Sequence, residues 1–507
     1  MGTIILGGNI GLEELVAVAR HGALVEFSDD YKARVNHSRD LVEQWVAEGR
    51  VIYGVTTGFG QLSTVVISPE DAEQLQENII LSHSTSVGEP LTIEQVRAVM
   101  LMVLQNLGQG YSGVRLLVLE KYREFLNNNL TPWAPREGSV GYLCPEAHMA
   151  LVLTGQGKAY FENELLPAAE ALSRAGIEPI SLAAKEGLAL VSGTTSVTGL
   201  GALALHDMLN AAKSADIVAS MTLEVLQGIM AAFDPRVMEV RPHPDQANTA
   251  ENVRTILADS QVIANAQELR VQDALSLRCI PQLHGAVKKT LLDAKTTIEV
   301  EINSCTDNPI IWGRGENPGA ISACNADSAY VGMEMDSASI AATALAKMSE
   351  RRNNRMIDEN LSGFPWFLVK NPGLNSGLMI PQYSQAGLLG DMRILSTPST
   401  IDNTPTCGNQ EDYVAMGYNS SKKAISVAEK LEYILAIELL SAYQAQPFSV
   451  PEEVRSSATA HIINEISATV PIIEEDRYLY PYVEYLREMI HDGTLISLAE
   501  EIVGQLR

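Results

Sequence analysis

Four long runs without proline dominate the chain beyond residue 200 and constrain its fold more than any other feature. Ala202 to Phe233 runs unbroken to Asp234-Pro235, where a helix should stop because proline has no amide hydrogen to donate. Leu283 to Ile302 sets Val287, Leu291, Ile298 and Ile302 close to helical spacing and ends before Asp307-Asn308-Pro309. Ala329 to Asp358 and Ala424 to Gln446 are two further candidates. In the last, Val427, Ala428, Leu431, Ile434, Leu435 and Leu439 line one apolar stripe. Helices of this length predict an elongated bundle, and stripes this long often bury against other subunits, so an oligomer is expected.

The first 200 residues read differently. Glu13 to His21 and Ala33 to Glu48 are predicted helices, and Val51 to Gly60 is a glycine- and threonine-rich loop. The expected fold is therefore mainly α. It has a small mixed N-terminal domain over 1–200 and a long-helix bundle with a C-terminal helical part over 201–507. Gly187 to Leu205 carries no charge and is about long enough to cross a bilayer. Its centre, Ser192-Gly193-Thr194-Thr195-Ser196, would insert poorly, so a buried segment leading into a helix is the better reading.

Composition narrows the function classes. The 507 residues are 46% hydrophobic, enough for a large core, and carry a formal net charge of -26. Such a charge repels phosphate backbones, so nucleic acid is an unlikely partner, and no membrane partner is expected. Cys144, Cys279, Cys305, Cys324 and Cys407 are scattered without a C-x-x-C pair, which argues against a disulfide framework and against a metal site. Cys144 and Cys279 read as inert core thiols. Met1 to Ile10 has no basic stretch of the kind that opens a secretory signal, and a cytoplasmic location is expected.

No P-loop, dinucleotide-binding glycine fingerprint, H-E-x-x-H or G-x-S-x-G occurs. The chain instead carries unusual polar loops joined to helices. They are Tyr53-Gly-Val-Thr-Thr-Gly-Phe-Gly60, Ser82-His83-Ser84, Gly138-Ser-Val-Gly141, Gly187-Leu-Ala-Leu-Val-Ser-Gly193, Gln272-Asp273 through Arg278, Thr306-Asp-Asn-Pro309 and Asn409-Gln-Glu-Asp412. In this order and spacing the chain resembles the histidine and phenylalanine ammonia-lyases over nearly its whole length. The resemblance implies a mainly α-helical homotetramer with shared active sites and elimination of an amine from a histidine-like or aromatic amino acid.

The departures from that family are specific. Its Gly-Ser-Val-Gly is followed by Ala-Ser-Gly, which cyclises to an electrophilic methylidene-imidazolone; here Gly141 precedes Tyr142 directly, and three inserted residues would restore the register down to His148. A supporting asparagine falls at Ser192, a second catalytic tyrosine at Leu275, and an aromatic beside the cofactor at Ala326. Other matches remain: Tyr53 to the catalytic tyrosine, Arg278 to the carboxylate-binding arginine, and His83 and Glu411 to the residues that select an imidazole. His148 matches a family position and reads as structural.

These observations lead to an expectation of chemistry without the cofactor. A base meeting an α-amino acid would take an ammonium proton before the less acidic Cβ proton, and a quaternary amine avoids that difficulty. The expected substrate is thus an imidazole betaine, as for the ergothionase branch that eliminates trimethylamine from ergothioneine to give thiourocanate, with hercynine also open. Tyr53 is the expected base, with its phenol needing cationic neighbours or donors to act at neutral pH. Arg278 would grip the carboxylate, and Glu411 and His83 the ring. Ala326, in place of an aromatic, would make room for the three methyl groups, Ser192 would border the substrate, Asp327 and Tyr142 would face the cation, and Arg393, on the loop side of the site, is a weak candidate to activate Tyr53. Two alternatives stand beside this. One is a histidine ammonia-lyase or aminomutase with a chromophore that the sequence does not display. The other is an inactive binding or assembly homologue.

Overall fold

Helix boundaries follow the expected bounds closely in two of the four long runs, and a third, expected over 424–446, begins seven residues earlier at Gly417. The computed structural model describes residues 2–68, 71–315, 317–450 and 452–507. Its long helices are α1 (Thr195–Val225), α2 (Ile280–Ile302), α3 (Ala329–Ile357) and α4 (Gly417–Gln444). The mainly α-helical expectation holds.

The first run is shifted from its expected bounds of 202–233. It starts early because the buried carboxylate of Glu146 accepts from the Thr195 hydroxyl and the Ser196 amide, both at 2.9 Å. Such an anion compensates the orphan donors and the positive end of a helix. It ends early because Gln227 turns left-handed (φ 53°) and the Gly228 amide donates back to the Leu223 carbonyl at 2.8 Å. That is a helix-closing turn, and it precedes the proline by several residues. Glu186–Val225 contains a window apolar enough to cross a membrane by length and composition, and that window is wholly buried inside the protein.

The chain divides into two compact units. One comprises Met1–Ala204, Ala294–Asp336 and Pro398–Lys422; the other Leu205–Asp293, Ser337–Thr397 and Lys423–Arg507. A single cut at residue 200 therefore does not delimit them. The chain passes between units within α1, α2, α3 and α4, because each helix is longer than the segment that either unit uses.

The first unit holds the small strands. Thr3–Leu6 pairs in parallel with Leu24–Phe27, Val87–Pro90 pairs antiparallel with Pro135–Glu137, and Ile310–Trp312 pairs antiparallel with Gly319–Ile321. Trp45, Val42, Ala72, Ala184 and Ile311 pack with Ile52 and Val55 in one buried cluster, which clamps the chain on both sides of Tyr53. Beside it, Lys185 Nζ meets Asp307 Oδ2 at 2.6 Å with both side chains fully buried. Glu186 is equally buried and takes a two-pronged contact from Arg115.

The second unit is held by a buried polar circuit through all four long helices. The Arg352 guanidinium (α3) donates to both oxygens of Glu438 (α4) at 2.6 and 2.9 Å, and Thr222 (α1) donates to the same carboxylate at 2.8 Å. Arg352 Nη1 lies 3.2 Å from His284 Nε2 (α2), and His284 Nδ1 lies 2.8 Å from Asp216 (α1). Arginine can only donate, so His284 accepts at Nε2 and donates from Nδ1 as a neutral ring. Burial, the largest influence, pushes its pKa below the ordinary imidazole value. Burial pushes Asp216 the other way, but Lys288 and His284 outweigh it and hold that carboxylate low.

Two outcomes are expected. Arg352→Met leaves Glu438 buried without its counterion and should cost about 3–5 kcal/mol in chemical denaturation, whereas Arg352→Met with Glu438→Leu should cost less than the two single changes summed. Because His284 is harder to protonate folded than unfolded, its stabilising share is complete above the ordinary imidazole pKa. It is lost as pH falls through and below that value, so the melting temperature should drop between about pH 7 and pH 5, and less steeply in His284→Gln.

Candidate active site

The loop after Ile52 is knitted by its own threonines. Thr56 Oγ1 accepts the Ile52 amide at 2.9 Å, and Thr57 Oγ1 accepts the Gly54 amide at 3.2 Å. This tight turn brings the amide of Gly60 back onto the Tyr53 phenol, N to Oη 2.8 Å. Gly60 adopts φ 55°, which favours glycine, and a Cβ there would stand 2.3 Å from Cys407 Sγ and 4.0 Å from Glu411 Oε1. Tyr53, Cys407 and Glu411 thus gather around one backbone atom.

Glu411 sits at the end of a short bridge to Thr406, with its own carbonyl accepting the Thr406 amide at 2.9 Å. Its Oε2 is buried and has no hydrogen-bond partner among the described residues. Burial raises the Tyr53 phenol above its ordinary value; the Gly60 amide works against this, and the charges of Glu411 and Cys407 add to it. Burial also raises Tyr142, and Glu411, Cys324, Asp327 and Cys407 push it further. The structure therefore brings Tyr53, Tyr142, Asp327 and Glu411 into one electrostatic neighbourhood.

His83 ends the helix Ala72–His83, with its ring 5.2 Å from that of Phe59, the neighbour of Gly60. Burial lowers its pKa, and Ser82 Oγ lies 3.1 Å from Nδ1. Ser192 Oγ accepts the Asn308 amide at 3.0 Å, so part of its capacity goes to the Thr306–Pro309 loop. Ala326 is half-buried in a turn closed by the Asp327 amide on the Cys324 carbonyl. Asp327 Oδ1 also accepts the amide of Ala329, the first residue of α3, at 2.9 Å. Leu275, Arg278 and Arg393 belong to the second unit. Arg278 Nε is buried with no partner among the described residues, Leu275 is exposed, and Arg393 is exposed on the last turn of Met379–Leu395.

Sequence reasoning missed three participants. The Gly60 amide was invisible because a backbone donor leaves no letter. Cys324 and Cys407 were given no role because scattered thiols carry no motif, although Cys407 stands only four residues before Glu411.

The methylidene-imidazolone implied by the resemblance was tested against the Gly138–Glu146 loop. Gly141 (φ 146°) joins Tyr142 with no Ala-Ser-Gly between, and a Cβ on Gly141 would lie 2.5 Å from Ser328 Oγ. The Leu143 amide is tied to the Val191 carbonyl at 2.8 Å. No step below is routed through that group.

The family described as aromatic amino acid lyase matches residues 10–468. A histidine ammonia-lyase from Caldanaerobacter subterraneus subsp. tengcongensis is 44% identical, covering 98% of this chain and 98% of its own. Histidine ammonia-lyase 1 of Fusobacterium nucleatum subsp. nucleatum is 43% identical over 99% of this chain and 98% of its own. The crystal structure of the Trypanosoma cruzi histidine ammonia-lyase superposes with a TM-score of 0.92 at 34% identity, covering 99% and 96% of the two chains. Ergothionase from Treponema denticola shares the fold (TM-score 0.89, covering 97% and 99%) at only 24% identity, as a distant neighbour.

These relatives correct two expectations. Trimethylamine elimination from an ergothioneine-like betaine is overturned, since the full-length similarity at above 40% runs to proteins named histidine ammonia-lyase. The expected absence of the methylidene-imidazolone, read from the missing tripeptide together with Ser192, Leu275 and Ala326, is overturned with it, because these relatives bear the name of the enzymes for which the group is characteristic. Both expectations gave the missing tripeptide and the changes at Ser192, Leu275 and Ala326 more weight than the similarity of the remaining sequence. With the match spanning most of its length, the chain belongs to the aromatic amino acid lyase family.

Proposed function

We propose that this chain is a carbon–nitrogen lyase acting on histidine or another imidazole-bearing α-amino acid, with ammonia as the departing amine. The observation that carries the reading is the approach of the Glu411 carboxylate to Gly60, whose amide donates to the Tyr53 phenol, together with the buried Glu411 Oε2, which has no hydrogen-bond partner among the described residues. A buried acceptor of this kind calls for a donor, and an imidazole N–H supplies one. Full-length relatives named histidine ammonia-lyase support the same substrate class.

In this reading Glu411 accepts from the ring and His83 makes the second ring contact. Arg278 holds the carboxylate by paired donors. Tyr142 and Asp327 face the ammonium, with Ser192 and Ala326 shaping the wall and Arg393 at the rim. Tyr53 takes the Cβ proton onto Oη, a step for which the amine must be kept from the base, as the electrophilic group characteristic of histidine ammonia-lyases would do when bound. The Cβ–H electron pair becomes the Cα–Cβ double bond, and the C–N pair leaves with nitrogen. An imidazole kept protonated by Glu411 spreads the charge developing at Cβ into the ring. The substrate's cationic groups also offset the carboxylate field that raises Tyr53. We further propose a cytoplasmic homotetramer, consistent with Tyr330, Met333 and Ile340 remaining exposed on α3.

A second reading is favoured by the Gly141–Tyr142 junction: a homologue that binds an imidazole amino acid without turning it over. Incubation with L-histidine, L-phenylalanine and L-tyrosine, followed by near-ultraviolet absorbance of the conjugated acid and by calorimetry, separates the two. Product from histidine alone supports the lyase. Histidine binding without product selects the binding homologue. Turnover of phenylalanine but not histidine removes the imidazole assignment.

Two variants test the base. Tyr53→Phe should lower kcat by about 10²–10⁴-fold with a smaller change in KM. Since the phenol must be deprotonated to act and its pKa is raised, kcat/KM should climb with pH beyond neutrality. Gly60→Ala collides with Cys407 and displaces the amide donor, so that limb should move to still higher pH, as read from a pH–rate profile.

A further inference from the structure

The second unit contains a cluster of side chains that the proposed chemistry does not use. Asp207 lies on α1, Glu432 on α4, and His491 ends the helix α5 (Tyr480–His491). One ligand atom from each lies within 4.8 Å of the other two. His491 Nδ1 is 2.8 Å from Glu432 Oε1 and 4.0 Å from Asp207 Oδ1. We propose that Asp207, Glu432 and His491 form a binding site for one divalent transition-metal ion of the zinc class, joining α1, α4 and α5.

The geometry is close to what an ion requires. Bonds of about 2.0–2.2 Å place the ligand atoms of a tetrahedral ion roughly 3.3–3.6 Å apart, so shifts of about 1 Å would seat it. The donor set of one imidazole nitrogen and two carboxylate oxygens suits zinc, cobalt or manganese better than calcium or magnesium. Glu432 is ideally held for this: its side chain is 2% exposed, and Arg487 takes Oε2 at 3.0 Å while Oε1 faces His491. His206 Nδ1 lies 3.4 Å from Asp207 Oδ1, where it orients that carboxylate from outside the triad. His491 is 31% exposed, which leaves a path for the ion and room for a water in the open position. Two carboxylates this close repel, and a divalent cation relieves the repulsion more than a proton on His491 does.

The rival occupant is that proton, and the test separates the two. The metal-free full-length protein is titrated with zinc in competition with a chromophoric chelator, alongside elemental analysis and Co²⁺ absorption spectra. One zinc per chain is expected, together with a rise in melting temperature on binding. His491→Gln and Asp207→Asn should each weaken zinc by at least about tenfold while retaining the helical circular dichroism of the parent. Failure of the parent protein to bind zinc overturns the site in favour of the protonated histidine. Unchanged binding in either folded variant overturns the ligand assignment.

Discussion

Ion pairing between Arg352 and Glu438 carries more of this structure than its size suggests. Both side chains are fully buried, and each is tied onward, to His284 on one side and Thr222 on the other. Apolar stripes alone let helices slide by a turn at modest cost, because one leucine replaces another. A closed circuit of buried charges does not allow this, since a shifted register would strand a guanidinium or a carboxylate away from water. The four long helices are therefore fixed in register by a few polar atoms, and the apolar surface around them supplies the bulk of the burial.

The first unit applies the same logic at smaller scale. Lys185 and Asp307 join the approach to Ser192 with the Thr306–Pro309 loop, and Glu146 fixes where α1 begins. Against this rigid background the Tyr53 loop is held by Ile52 and Val55 and closed by a single amide. The site is electrostatically unfinished: burial raises the Tyr53 phenol, helped by Glu411 and Cys407, and burial raises Tyr142, helped by Glu411, Cys324, Asp327 and Cys407.

Much of the architecture was legible in the sequence. Periodicity and proline breaks gave the ends of α2, α3 and α4 to within a few residues, because those helices stop where local chemistry stops them. The start of α1 was not legible, because it depends on Glu146, a residue distant in the chain. Loops around Tyr53, His83 and Glu411 were recognisable as motifs, yet the Gly60 amide that touches Tyr53 has no side-chain signature. Asp207, Glu432 and His491 escaped notice for a related reason: spacing rules find ligands on one element, and these sit on three. The substrate was misjudged because a missing segment draws attention that identity above 40% over nearly the whole chain does not.

The interleaving of the two units also governs how the chain can be made. A nascent polypeptide emerging from the ribosome presents Met1–Ala204 first, but the unit it belongs to also needs Ala294–Asp336 and Pro398–Lys422. Neither unit can close on its own stretch of chain, so folding is deferred until most of the protein has been synthesised. During that interval the apolar faces of α1 and α2 stand uncovered, which makes biogenesis a contest between late docking and aggregation. Truncation at any point before α4 would leave both units incomplete.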